Sequence, residues 1–293
     1  MVPGAMRHSC EVYALRMRLV RLLTFIALVV AFCGLMSSQP APHKKRLLAI
    51  GEVDGFQHDS VSHALATIER LGRESGIYDT YIRTDCELLT KQKLSANAKN
   101  LDYFDAVLFY TTGELHMSPQ QKTDFMSFIK QDGKGFVGVH SALDTNYAWP
   151  EYGEMIGGYF NEHPWMTFDA PVIVEDPNFP AMKAFAPTFT IHDEIYQAKD
   201  WSRDKVRVLA RLDPTKLNYN NPRVHRTDHD FAVAWAKMYG NGRVFYSTFG
   251  HTEQAWDMPE IQKMYLEAIK WALKLTDADV TPRALPAGSG TGQ

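Results

Sequence analysis

Three apolar runs in the first half of the chain are continuous rather than alternating: residues 46–53, 106–110 and 135–140. A run with no polar face predicts a strand covered on both sides, as in a parallel sheet. Between these runs the period becomes helical. Ser60 stands where it can cap a helix whose apolar face is Val61, Ala64, Leu65, Ile68 and Leu71. Ser118-Pro119-Gln120-Gln121 spells a capping box with proline at the first helical position. Its helix carries Phe125, Phe128 and Ile129 and stops at Gly133. Strand and helix in alternation predict an α/β fold, a doubly wound sheet with its ligand site at the carboxyl ends of the strands.

The second half has a different rhythm. Segments 167–175, 189–196 and 206–212 have strand patterning with no helical pattern between them. Segments 231–238 and 243–249 flank Gly240-Asn241-Gly242, a hairpin signal. A last helix begins at Pro259 and places Ile261, Met264, Tyr265, Ala268, Trp271 and Leu275 on one face. The expected organisation is a leader and linker over 1–42, one domain over 43–277, and a disordered tail over 278–293, rich in Pro and Gly toward its end.

Composition narrows the class. The 293 residues are 45% hydrophobic and 22% charged, enough for one large core. A net charge of −3 carries no nucleic-acid footprint, so no nucleic-acid partner is expected. Arg16, Arg18 and Arg21 precede an apolar run over 22–36, which reads as a secretory signal peptide and predicts a periplasmic or extracellular protein. The alternative is an uncleaved apolar anchor in the inner membrane, although the run is short of the ~20 residues a span needs. Cys10 and Cys33 fall in that leader, which leaves Cys86 alone and gives no disulfide framework.

Four of the eleven histidines fall at expected strand ends or in the loops over them: His58, His140, His163 and His251. Together they can bind a divalent metal, since imidazole suits zinc, iron or nickel. Alternatively they serve as general acid and base near neutral pH. Asp54 and His58 would complete the pocket. Asp144 would position His140 or bind substrate hydroxyls, and Asp193-Glu194 is an acidic pair that faces either the cleft or solvent. Aromatic residues crowd the same segments, among them Tyr147, Trp149, Tyr159 and Trp165. Their flat faces suit a sugar, and Trp149 in particular serves either substrate or core.

The motifs that carry a family likeness run in order over about residues 46–275. They are Gly55-Phe56-Gln57-His58-Asp59-Ser60, the block from Gly135 to Thr145, Trp149-Pro150-Glu151-Tyr152-Gly153, Gly157-Gly158-Tyr159-Phe160, His163-Pro164, Asp193-Glu194-Ile195-Tyr196 and Gly250-His251-Thr252. The sequence resembles the ThuA-like family, named for trehalose utilisation. That family is similar in fold to class I glutamine amidotransferases. The resemblance therefore implies a flavodoxin-like, mostly parallel sheet with extra strands and a hairpin in its second half.

Those amidotransferases carry a cysteine at a strand-to-helix elbow and a His-x-Glu pair further on. Here His140 takes the elbow, and His251-Thr252-Glu253 resembles the pair, with Glu253 orienting His251. Without the thiol, attack on a glutamine side chain has no nucleophile, so glutaminase activity is not expected. The resemblance implies a substrate among trehalose, related disaccharides and their 3-keto derivatives. A keto group acidifies its neighbouring C–H bonds. Enolisation, epimerisation or elimination could then follow from a histidine base beside a metal or a second imidazole. In this reading His140, His251 and Glu253 are catalytic, and Asp54, His58, Asp144, Trp149, His163 and Glu194 bind substrate. Metal ligands would come from His58, His140, His163 and His251. The alternatives are a sugar-binding module without turnover and an accessory protein of a sugar dehydrogenase.

Overall fold

The structure is a computed structural model that describes residues 44–285 and the pair Met17 and Arg18. The leader and linker expected over 1–42 lie outside the described residues but for that pair. Among the described residues no helix is long and apolar enough to cross a membrane.

In chain order the strands are β1 (Lys45–Ile50), β2 (Val53–Asp54), β3 (Tyr78–Arg83), β4 (Ala106–Phe109), β5 (Thr112–Gly113), β6 (Gly135–Val139) and β7 (Tyr159–Glu162), then β8 (Thr167–Val174), β9 (Thr188–Glu194), β10 (Gln197–Lys199), β11 (Arg207–Leu212), β12 (Ala232–Tyr239) and β13 (Gly242–Ser247). The helices are α1 (Ser60–Ser75), α2 (Pro119–Lys130), α3 (Pro150–Ile156), α4 (Glu253–Asp257) and α5 (Pro259–Ala272).

Nine strands form one sheet in the order β3-β1-β4-β6-β13-β12-β11-β8-β9. The pairs from β3 to β13 are parallel. Counted among themselves, these five strands run 2-1-3-4-5, the flavodoxin-like order. From β13 outward every pair is antiparallel. The continuous apolar runs have a direct cause. Leu47 and Ala49 of β1 enter one core layer with α1 and α5, and Leu48 and Ile50 enter the other with α2 and α3. Successive side chains of a strand point to opposite faces, so a strand covered on both faces must be apolar throughout.

Local signals act largely as the patterning predicts. Ser118 Oγ accepts from Gln121 N at 3.2 Å, and Gln121 Oε1 accepts from Ser118 N at 2.9 Å, closing the capping box. Strands β12 and β13 pair Tyr239 with Gly242 across a two-residue turn, where Gly240 takes a left-handed φ of 58°. Two local expectations need correction. Ser60 is the first residue of α1 rather than its cap, and its hydroxyl goes to Gly250 O and Tyr110 Oη instead, at 3.0 and 2.6 Å. Helix α5 ends at Ala272, which leaves Leu275 exposed rather than on the buried face.

At the start of the expected tail, Ala278 and Val280 pack against the core and Arg207 Nη1 donates to Thr281 O at 2.9 Å. Residues 286–293 lie outside the described residues.

Candidate metal centre

Strand β6 ends in a turn that puts His140 at φ 42°, a left-handed conformation that side chains other than glycine's rarely adopt. The surroundings hold it there. Tyr246 Oη donates to His140 O at 2.8 Å, and Tyr152 Oη donates to Ala142 O at 2.6 Å. The imidazole is fully buried. Ser141 next to it is also buried, and its Oγ has no hydrogen-bond partner. Cys86, the cysteine of the described residues, lies in the α2-side core, where burial pushes its thiol well above the ordinary range. No thiolate stands at the elbow.

His58, in the loop between β2 and α1, and His251, just after β13, meet His140 ring to ring. Centroids are 4.8 Å apart for His58 and His140, and 5.1 Å for each of the other two pairs. A fourth side chain arrives from the far edge of the sheet. Asp193 and Glu194 end β9, and neighbouring strand residues face opposite ways. Asp193 accepts Gly250 N at 2.7 Å and Thr252 N at 3.2 Å, which fixes the turn that carries His251. Glu194 turns to the imidazoles. Its Oε2 lies 3.2 Å from His251 Nδ1 and 3.5 Å from His140 Nε2, and those two nitrogens are 3.1 Å apart.

This geometry fits a metal ion. Ligand atoms 2.0–2.2 Å from a tetrahedral ion are separated by about 3.4 Å. The observed edges of 3.1, 3.2 and 3.5 Å match one face of such a tetrahedron. One ligand atom from each of His58, His140, Glu194 and His251 falls within 4.8 Å of all the others. His140 Nδ1 is 2.6 Å from the Thr248 carbonyl oxygen, so it donates there and Nε2 is the ring nitrogen turned toward the cluster. A backbone acceptor behind the ligating ring is the usual support of a metal-binding histidine.

Protonation follows the same pattern. Burial, then the neighbouring His140 and His251, lower the pKa of His58 to about 3, so its ring is neutral and free to ligate. Burial opposes ionisation of Glu194, but hydrogen bonds and charge from His140 and His251 outweigh it and hold the carboxyl well below its ordinary range. Burial also opposes the charged form of His251, and Glu194 outweighs it there too, raising that pKa. Both His140 Nε2 and Glu194 Oε2 face His251 Nδ1, so one cation can satisfy them, whether the His251 proton or a metal.

His58, Glu194 and His251 form part of the wall of a cavity of ≈ 520 Å3, which Asp144, Phe160 and His163 also line, and His140 lies behind them. His163 Nδ1 is buried without a hydrogen-bond partner, 3.9 Å from Glu194 Oε1. Burial holds the Asp144 carboxyl above its ordinary range, even though Tyr147 Oη donates to it at 2.5 Å. Tyr196, not among the expected site residues, sets its ring 4.3 Å from that of His140 at a tilt of 36° and has its hydroxyl 3.3 Å from His58 Nε2. Its place in the Asp-Glu-Ile-Tyr stretch was the available signal.

Three expected site residues stand apart from this cluster. Glu253 is exposed in the first turn of α4, because Thr252 Oγ1 caps that helix by accepting from Ala255 N at 3.1 Å. The carboxylate that meets His251 is Glu194. Trp149 is buried in the α2-side core, 5.9 Å from Tyr152 and 6.2 Å from Phe125. Asp54 is exposed on β2, whose backbone pairs with β5. His163 borders the cavity beside Glu194 rather than joining the four ligand atoms.

None of the curated proteins matches the chain. A ThuA-like protein from Bacteroides uniformis ATCC 8492 has a similar solved structure, with a TM-score of 0.65 and 20% identity over 80% of this chain and 94% of its own. A second, from Parabacteroides merdae ATCC 43184, has a TM-score of 0.60 and 15% identity over 85% of this chain and 95% of its own. At these identities the likeness is one of fold. The sequence itself matches the ThuA family, described as trehalose utilisation, over residues 46–272. That match covers most of the chain, which therefore belongs to the ThuA family.

Proposed function

We propose that His58, His140, Glu194 and His251 hold one divalent transition-metal ion, and that the protein uses it in proton transfer at a carbon beside the carbonyl group of an oxidised sugar. The carrying observation is the triangle of 3.1, 3.2 and 3.5 Å among His140, His251 and Glu194, beside a cavity large enough for a sugar. Three imidazoles and one carboxylate are a donor set for ions such as zinc, nickel or iron(II). An ion of this kind supplies Lewis acidity toward a carbonyl oxygen.

The chain's own groups supply the proton traffic. Asp144 and His163 border the same cavity outside the ligand set. Burial raises the proton affinity of the Asp144 carboxyl, and His163 Nδ1 has no hydrogen-bond partner, so both can exchange a proton with a molecule in the cavity. The family supports a disaccharide of the trehalose kind, or its 3-keto derivative, as the substrate class. The missing thiol argues against glutaminase chemistry. The basic residues and apolar run of the first 42 residues support export.

The test is elemental analysis of protein purified without chelators, followed by incubation with 3-keto-trehalose in deuterated buffer. About one divalent ion per chain is expected in the wild type and less than a tenth of that in His140→Ala, with metal-dependent deuterium uptake at carbon. Metal absent from both proteins would remove the ligand assignment. Metal present without exchange would remove the chemistry and leave a metal-containing sugar binder.

A further inference from the structure

A second cavity, of ≈ 350 Å3, has Tyr147, Glu154, Tyr159, Asp200, Lys205 and Lys237 in its walls. Lys237, on β12, is only 8% exposed. Its ammonium donates to the Glu154 carbonyl oxygen at 2.7 Å, in the last turn of α3, and lies 5.7 Å from the Tyr239 ring. No carboxylate stands within ion-pair distance of it among the described residues. An ammonium has three N–H donors, and one carbonyl satisfies one of them. The remaining donors of this part-buried ammonium face the cavity and can be met by acceptor atoms of a molecule inside it. Burial lowers the Lys237 pKa.

The rest of the lining shows what kind of partner fits. Glu154, Asp200 and Lys205 are exposed around the cavity, so it presents two acidic and two basic groups. Such a mixture offers no net attraction to an anion. It matches a ligand that both donates and accepts hydrogen bonds along its length, as a polyhydroxylated ring does.

The cavity is also a neighbour of the first. Tyr147 stacks on Tyr159 with centroids 5.3 Å apart, and both rings line the second cavity. The Tyr147 hydroxyl donates to Asp144 Oδ1, and Asp144 lines the first. The walls of the two spaces are thus joined by one hydrogen bond.

We infer that the Lys237 cavity is a second saccharide subsite, which takes the adjoining ring of a disaccharide whose first ring occupies the metal-site cavity. The inference rests on the carbohydrate reading above. Lys237 and Lys205 then donate to hydroxyl oxygens of the outer ring, and Tyr147 lies alongside the linkage between the rings.

Isothermal titration of the metal-containing full chain with trehalose and with methyl α-glucoside tests this. The wild type should bind trehalose at least tenfold more tightly, since hydrogen bonds from charged groups are at stake. Lys237→Met and Lys205→Met should each weaken trehalose about tenfold and leave methyl α-glucoside within twofold. Lys205 is exposed, so its variant reports even where Lys237→Met folds poorly. Equal affinity of the wild type for the two sugars would overturn the subsite, as would lysine variants that spare trehalose or weaken both sugars alike. His251→Ala should weaken both sugars. If it does so while the lysine variants discriminate nothing, the carbohydrate site stands and the second subsite falls. If the wild type binds neither sugar, the carbohydrate reading falls and takes the subsite with it.

Discussion

His140 Nδ1 stands 2.6 Å from the carbonyl oxygen of Thr248, on the segment that follows β13. A carbonyl only accepts, so this contact places a proton on Nδ1 and aims Nε2 at His251 and Glu194. The side chain of Thr248 reaches the other way and accepts Tyr196 N at 3.0 Å. One residue therefore sets both the orientation of the elbow histidine ring and the position of the segment after Glu194.

Glu194→Gln keeps the shape of the side chain and removes its charge. It should lower metal affinity by more than about 100-fold, beyond what loss of an outer-shell partner costs. Glu253→Gln should leave affinity within about twofold, because Glu253 is exposed and outside the ligand set. Competition with a chromogenic chelator measures both. Equal losses in the two variants would restore the His-x-Glu assignment.

His58 predicts an acid sensitivity of the metal-free protein. Its pKa falls from 6.5 to about 3 on folding. As pH drops from 6.5 toward 3, the unfolded chain gains a proton at this ring that the folded chain refuses, so folding weakens. One such proton contributes up to about 1.4 kcal/mol per pH unit. Urea unfolding after chelation should show His58→Gln losing stability less steeply than the wild type between pH 6.5 and 4.5. Parallel pH profiles would mean that the ring is not buried neutral.

Asp193 touches no metal ligand side chain, yet it holds the backbone on either side of His251. Asp193→Ala leaves two backbone N–H groups without their acceptor and should cost about 2 kcal/mol in thermal unfolding. Metal affinity should drop about 10–100-fold, the range for supports behind ligands. A stability loss with unchanged metal affinity would limit Asp193 to a structural role.

Trp149 separates core from pocket. Trp149→Ala should cost about 3–5 kcal/mol in urea unfolding, the usual range for a buried tryptophan. At temperatures where the variant is folded, trehalose affinity should stay within about twofold. A selective loss of sugar binding with little change in stability would return Trp149 to the site.

The parallel half of the sheet was legible because β4 and β6 are apolar throughout and β1 is apolar after Lys45 and Arg46. Strand β3 was not, since at the sheet edge it reads Tyr-Asp-Thr-Tyr-Ile-Arg, mixing polar and apolar residues. His140 was legible as an elbow residue, and His58 and His251 as residues beyond strand ends. Glu194 was visible as part of an acidic pair, but its role was given to Glu253. Proximity in sequence favoured Glu253, whereas the last residues of β9 return to Gly250 across the antiparallel half, a placement with no local signature. Trp149 misled for a related reason. A tryptophan before Pro150 has the spelling of a loop, and only packing against Phe125 and Tyr152 shows it to be interior.

Glu194 ends the last strand in the sheet order, while His140 and His251 follow strands of the parallel half and His58 precedes α1, which packs on that half. An ion gripped by all four is consequently a clasp between the two halves of the molecule. Its release frees the β8–β9 ribbon to breathe while the five parallel strands stay closed, so chelation should quicken amide exchange in β9 far more than in β4 or β6.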